Sequence, residues 1–252
     1  MSKRGQVSVF IILGILVLGI IGILYYAISK DYIKTPFVST GTVSVRDSVE
    51  NCIAEIGNEA IDTLGKQGGD INPNLYQTWC INSEECYKVS YLCYTEDTIP
   101  CVNRRPFLAQ HIEREIENYV DENLADCVDI GLWEDSGYSV NLGEYKSKAS
   151  IGMKDTLIVV DWPITIRKGD FVEREERFSY EFNIPLGLLS EVAYDIVDSE
   201  ITAGDFWVVP YVESKHGAVE IEKHRPGNSK VYALNAFQDS YKFYFAVQGW
   251  VI

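Results

Sequence analysis

The sequence predicts an α+β chain with an N-terminal transmembrane helix, then a disulfide-linked helix pair, then a mostly antiparallel β-sheet carrying one helix. Three observations predict it. Val7 to Ile28 runs 22 residues without a charge; as a helix rising about 1.5 Å per residue it would span a hydrocarbon core of about 30 Å. Further along, two apolar stripes at helical spacing give way near residue 137 to strand-like alternation. The six cysteines, Cys52, Cys80, Cys86, Cys93, Cys101 and Cys127, all follow the apolar run and suit a disulfide framework in an oxidising space.

The expected organisation is a cytoplasmic leader over 1–6, a transmembrane helix over 7–28, a stalk over 29–42, a cysteine-rich helical region over 43–131 and a β-rich extracytoplasmic region over 132–252. The apolar run has no polar face and no A-x-A cleavage pattern, and Tyr25 and Tyr26 close it as interfacial residues would. Lys3 and Arg4 balance Lys30 and Lys34, so charge alone does not orient it; the cysteines place the remainder outside.

Residues 29–42, rich in Pro, Gly, Ser and Thr, read as the stalk. Ser44 and Asp47 then form a cap-like pair before the stripe Val45, Val49, Cys52, Ile53, Ile56, Ala60 and Leu64, which Gly65, Gly68 and Gly69 stop. Residues 70–105 show little periodicity and read as an irregular segment pinned by cross-links. Pro106 suits the first turn of a second helix, whose buried face is Leu108, Ile112, Ile116, Tyr119, Val120, Leu124, Cys127 and Val128, ending at Gly131. Cys52 and Cys127 both lie on stripes that must be buried, which predicts a bond between them. Cys80 with Cys86 and Cys93 with Cys101 are then the simplest local pairs, other pairings being open.

"TLIVVDWPITI" and "FVEREERFSYEFNI" alternate and flank the turn Lys168-Gly169-Asp170, with Pro163 marking an edge or a bulge. A helix follows over 186–199. "DFWVVPYVE", "AVEIEKH", "KVYALNAF" and "YKFYFAVQGWVI" read as strands.

A net charge of −15 disfavours nucleic acid as a partner. The basic clusters Arg104-Arg105 and Lys223-His224-Arg225 are too small to act as a funnel. The clustered cysteines are spaced C-x5-C-x6-C-x7-C, without the short knuckles of zinc sites, so disulfides account for them better. His111 and Glu115, four apart on the second helix, have a spacing that can share a metal, but without H-E-x-x-H they read as a solvated charged face, as do Arg114 and Asn118. His216 and His224 fall in charged, turn-like stretches. Acid pairs such as Glu134-Asp135 and Glu175-Glu176 offer carboxylates for hydrolysis, yet no nucleophile elbow, P-loop or dinucleotide fingerprint is present. No catalytic residue, cofactor or metal is expected on this basis.

The head "KRGQVSVF" resembles the processing site of archaeal type IV pilin-like proteins with class III signal peptides. The resemblance implies a cut between Gly5 and Gln6; Ser8 fits it, while Phe10 stands where the family usually has glutamate, which implies a minor or non-assembling relative. "LGKQGGDI" and "LCYTEDTIPCVNRRP" resemble segments of uncharacterised archaeal membrane proteins, which bring no known activity. The expected function is therefore a membrane-anchored extracytoplasmic structural or interaction protein, a pilin-like component of the cell surface. It would be single-pass, held in the membrane by residues 7–28, with protein partners at the surface or in a filament. The alternatives are an anchored extracytoplasmic hydrolase using carboxylates, and a sensor or ligand-binding subunit.

Overall fold

The computed structural model describes residues 44–81, 85–97, 100–236 and 240–249. The expected membrane helix over 7–28 and the processing site Gly5–Gln6 lie outside these residues. Among the described residues no helix is long and apolar enough to cross a membrane. The fold class is corrected accordingly: the chain is α+β, with mixed sheets and helices and no membrane-spanning element among the described residues.

Helix α1, Val45–Gln67, begins at Ser44, whose hydroxyl accepts from the Asp47 amide, and ends at Gly68 in the left-handed region (φ 73°). Its buried stripe runs from Val45 to Leu64. Gly57 lets it approach the β-layer closely: a Cβ there would stand 2.5 Å from Cζ of Phe182 and 2.8 Å from Cδ1 of Ile158.

The segment expected to be irregular instead forms strands β1 (Tyr76–Cys80), β2 (Cys86–Tyr94) and β3 (Val102–Asn103). Aromatic and β-branched residues favour extended backbone, and the Cys80–Cys86 disulfide closes the β1–β2 hairpin. Helix α2, Leu108–Cys127, follows, with the short α3 (Gly131–Asp135) after it. Cys52 of α1 and Cys127 of α2 are bonded, with Cα atoms 5.8 Å apart, and Cys93 is bonded to Cys101. All six cysteines are thus disulfide-bonded and none is left to bind zinc.

One sheet is built on β6 (Thr156–Lys168). Strand β7 (Phe171–Phe182) runs antiparallel along one side of it; β4 (Ser139–Leu142) and β5 (Lys146–Ile151) share the other. Pro163 therefore sits on a central strand, at a register shift between Asp161 and Ile164 that removes the need for its missing N–H. The second sheet runs β1-β2-β10-β9-β8, with β8 Val219–His224, β9 Lys230–Ala236 and β10 Lys242–Gln248. Its β2–β10 pair is parallel and its other ladders among the described residues are antiparallel, so this sheet is mixed. Helix α4 is Leu186–Ala203. "DFWVVPYVE" is not a strand but contains helix α5, Val208–Ser214. Pro210 lies in its first turn, where an amide proton has no intrahelical acceptor to lose.

A continuous apolar core joins α1, α2, α4 and the inner faces of both sheets. A charged cluster is buried beside it. Lys230 of β9, its side chain 6 % exposed, donates to Glu200 of α4 (2.6 Å), whose side chain is 2 % exposed, and to Asp205 and the Gly204 carbonyl (2.8 Å each). The Tyr232 hydroxyl also donates to Glu200.

Candidate functional site

Helix α2 carries three parallel rows. The central row, Leu108, Ile112, Ile116, Val120 and Leu124, is buried in the core. On one flank, Glu113, Glu117 and Asp121 accept hydrogen bonds from the backbone amides of Ile151 (3.1 Å), Ala149 (3.1 Å) and Ser147 (2.8 Å). Alternate amides of β5 point to the same side of the strand, and a helical repeat of four matches them, so the carboxylates stand where a neighbouring strand would be.

The other flank, His111, Glu115, Asn118 and Glu122, faces a polar cleft of about 300 Å³. The opposite wall is the segment after α1, with Asp70, Ile71, Asn72 and Asn74, and Arg105 closes one end. The two glycines after Gln67 set this wall. Gly68 ends α1, and Gly69 (φ 86°) turns the chain so tightly against α2 that a Cβ would lie 3.2 Å from Ile112 and Leu108. The next residue, Asp70, is thereby delivered to His111.

Asp70 is buried, and its carboxylate is fully engaged. Oδ1 accepts from His111 Nε2 at 2.6 Å and from Arg105 Nη2 at 2.9 Å, and Oδ2 accepts from the Ser90 hydroxyl. Burial alone would push its pKa up; the bonds from His111, Ser90 and Arg105 outweigh burial and hold it at about 2. Asp70 is therefore ionised at neutral pH and can only accept, which places a proton on the imidazole Nε2. Glu115 Oε2 accepts from the Ile71 amide at 2.9 Å, which joins the two walls.

Ligand atoms of Asp70, His111 and Glu115 all lie within 4.8 Å of one another. Asn72, Asn74, Asn118 and Glu122 also line the cleft, and their side chains make no hydrogen bond to the protein among the described residues. Three carboxylates against one guanidinium leave the lining net negative, which disfavours anions. Chemically, the arrangement offers an oriented acid–base imidazole, paired donors and acceptors, and three groups able to hold a cation.

The expectation for His111 and Glu115 is thus corrected. They are partly buried and tied to Asp70 and Ile71, rather than forming a solvated face, because the segment after α1 covers that flank of α2. The expected absence of a catalytic constellation is corrected with it. Asp70 and Arg105 were the residues missed; the one local signal is the Gly68-Gly69 turn, which hands an acid to the neighbouring helix. The other basic cluster has a structural place, with Lys223 and Arg225 both holding Asp205. His216 is exposed in a turn, and His224 lies against Trp79 with ring centroids 4.7 Å apart. The acid pairs are not brought together as a site: Glu175 pairs with Arg46, and Glu176 with Arg174.

No family model, no curated protein and no solved structure matches this chain. The pilin-like resemblance finds no support there, and none of the described helices suits a membrane. The archaeal cell-surface assembly function, the membrane and filament partners, and the single-pass extracytoplasmic localisation are withdrawn with it. The cleft supports the ligand-binding and hydrolytic alternatives better.

Proposed function

We propose that the chain binds a small polar ligand, neutral or cationic, in the cleft between α2 and the segment after α1, with Asp70 and His111 at its reactive centre. One observation carries this reading: a buried, ionised carboxylate, fixed by Ser90 and Arg105, holds a histidine at the wall of an open polar cleft. Buried acid–histidine pairs of this kind are expensive to desolvate and concentrate at functional sites. The asparagines and Glu122 supply both donors and acceptors, which fits vicinal hydroxyls or an amine better than an apolar molecule. Titration with neutral saccharides and small amines, followed by amide chemical shifts, tests it. Shifts are expected at 70–74, 105 and 111–122 and should vanish in Asp70→Asn; shifts confined to other surfaces would refute it.

Hydrolysis is a second reading, favoured by the committed Nε2. With that proton held by Asp70, Nδ1 is the nitrogen able to take a proton from water attacking a bound substrate. Assay of nitrophenyl esters and glycosides should show turnover lost in His111→Gln. Equal rates in the two proteins would refute a role for the imidazole.

A further inference from the structure

We infer that Asp70, His111 and Glu115 form a binding site for one first-row divalent metal ion of the Zn²⁺ type. The inference rests on the cleft being the functional site and names a ligand for its floor.

The donor set selects the metal. One imidazole nitrogen with two carboxylates is too nitrogen-rich for Ca²⁺ or Mg²⁺, which prefer all-oxygen shells, and lacks the thiolates that copper(I) favours. Three protein ligands with an open side is the pattern of a zinc ion that keeps an exchangeable position. Here that open side is the cleft.

The geometry requires little movement. His111 Nε2 and Asp70 Oδ1 now face each other at 2.6 Å across a proton. If that proton moves to Nδ1, a small rotation of the imidazole and carboxylate turns the Nε2 and Oδ1 lone pairs toward one point beside the line that joins them. A tetrahedral metal at about 2.0 Å from each needs the two atoms about 3.3 Å apart, a separation of roughly 0.7 Å beyond the present one that side-chain rotation supplies. A carboxylate oxygen of Glu115 lies within 4.8 Å of a ligand atom of each of these residues, and Glu115 is itself anchored by the Ile71 amide, which donates to Oε2. The remaining bonds to Asp70 become supports of the ligand: Ser90 holds Oδ2, and Arg105 holds the second lone pair of Oδ1. Arg105 also brings a positive charge close to the ion. The site is therefore expected to bind with micromolar affinity rather than with the tightness of a structural zinc centre. With the ion in place, Nε2 is a ligand and Nδ1 carries the proton, so a polarised water replaces the imidazole as the base.

Calorimetric titration of the full chain with ZnCl₂, with ¹⁵N NMR of the histidine rings, tests the site. One equivalent is expected to bind, with the large ring shift at His111 Nε2 and not at Nδ1. Asp70→Asn, His111→Gln and Glu115→Gln should each weaken binding at least tenfold, whereas the double variant His216→Gln, His224→Gln should leave it within twofold. Glu115→Gln keeps its carbonyl for the Ile71 amide, so it retains the fold even where Asp70→Asn does not; a thermal melt checks this. Undiminished Zn²⁺ binding in His111→Gln, or an unshifted His111 ring at one equivalent, overturns the inference. If Zn²⁺ fails while saccharide- or amine-induced shifts persist, the metal site alone falls. If both fail, the reading of the cleft falls with it.

Discussion

Replacing Cys52 and Cys127 together by alanine should cost more stability than removing either of the other bridges. The bond spans 75 residues and joins α1 to the end of α2. In the chain-entropy model a loop of that length restricts the unfolded chain by about 15 cal/mol/K, or roughly 4.5 kcal/mol at 25 °C. The Cys80–Cys86 and Cys93–Cys101 loops, with separations of 6 and 8, lie inside it. By the same formula each is worth only about 2–2.5 kcal/mol, and their shortening of the outer loop changes its value by about 0.2 kcal/mol. The ordering is therefore robust to the constant in the formula, because only the logarithm of the loop length differs. Urea unfolding followed by near-ultraviolet circular dichroism measures all three double variants under one set of conditions. For a chain of this size, 4 kcal/mol should appear as a fall in melting temperature on the order of 10 °C. A loss for Cys52→Ala, Cys127→Ala no greater than that for Cys80→Ala, Cys86→Ala would refute the reasoning. It would show that the unfolded chain already holds α1 near α2, or that the native bond stores strain that its removal relieves.

Three further outcomes follow from the packing. Glu117→Ala strands the Ala149 amide and should cost about 1–2 kcal/mol with faster hydrogen exchange at Ala149, while Glu117→Gln, which keeps an acceptor, should cost less than half as much. Gly57→Ala drives a methyl into Phe182 and Ile158 and should destabilise by about 1–3 kcal/mol in urea, with part of the loss recovered by adding Phe182→Leu. Lys230→Met leaves Glu200 buried beside Tyr232 without its cation and should cost about 3 kcal/mol or more, whereas the double variant Lys230→Met, Glu200→Leu should regain most of it, as thermal melts would show.

What the sequence makes legible is what depends on a single element. The stripes of α1 and α2 recur every three or four residues because one side of each helix is buried, and Cys52 and Cys127 stand on those stripes. The β6–β7 hairpin is readable because alternation on each side of Lys168-Gly169-Asp170 needs only its own turn. The strands over 76–103 are not readable in that way. Their apolar residues do not alternate cleanly, since the continuous buried run Val89–Cys93 of β2 is covered with the help of β10, which lies parallel to it and comes about 150 residues later. Helix α5 is hidden for the opposite reason: "WVVPY" has the composition of a strand, Trp207 stays 76 % exposed, and no residue of the helix is buried to mark a face.

The cleft shows the same limit at the level of chemistry. On α2 the two charged rows look alike in sequence: His111 and Glu115 on one side of the apolar stripe, Glu113 and Glu117 on the other, each a repeat of four. Only the neighbours distinguish them. β5 brings a line of amides to one row, which fixes its carboxylates as structural acceptors. The Gly68-Gly69 turn brings Asp70, already committed to Ser90 and Arg105, to the other, where His111 and Glu115 line the cleft. A charged helical face is thus not one kind of surface. A row whose carboxylates take up the edge amides of a strand holds the fold, and a row that lines a cleft, with its histidine held by a buried ionised acid, has bonding capacity left over for a ligand.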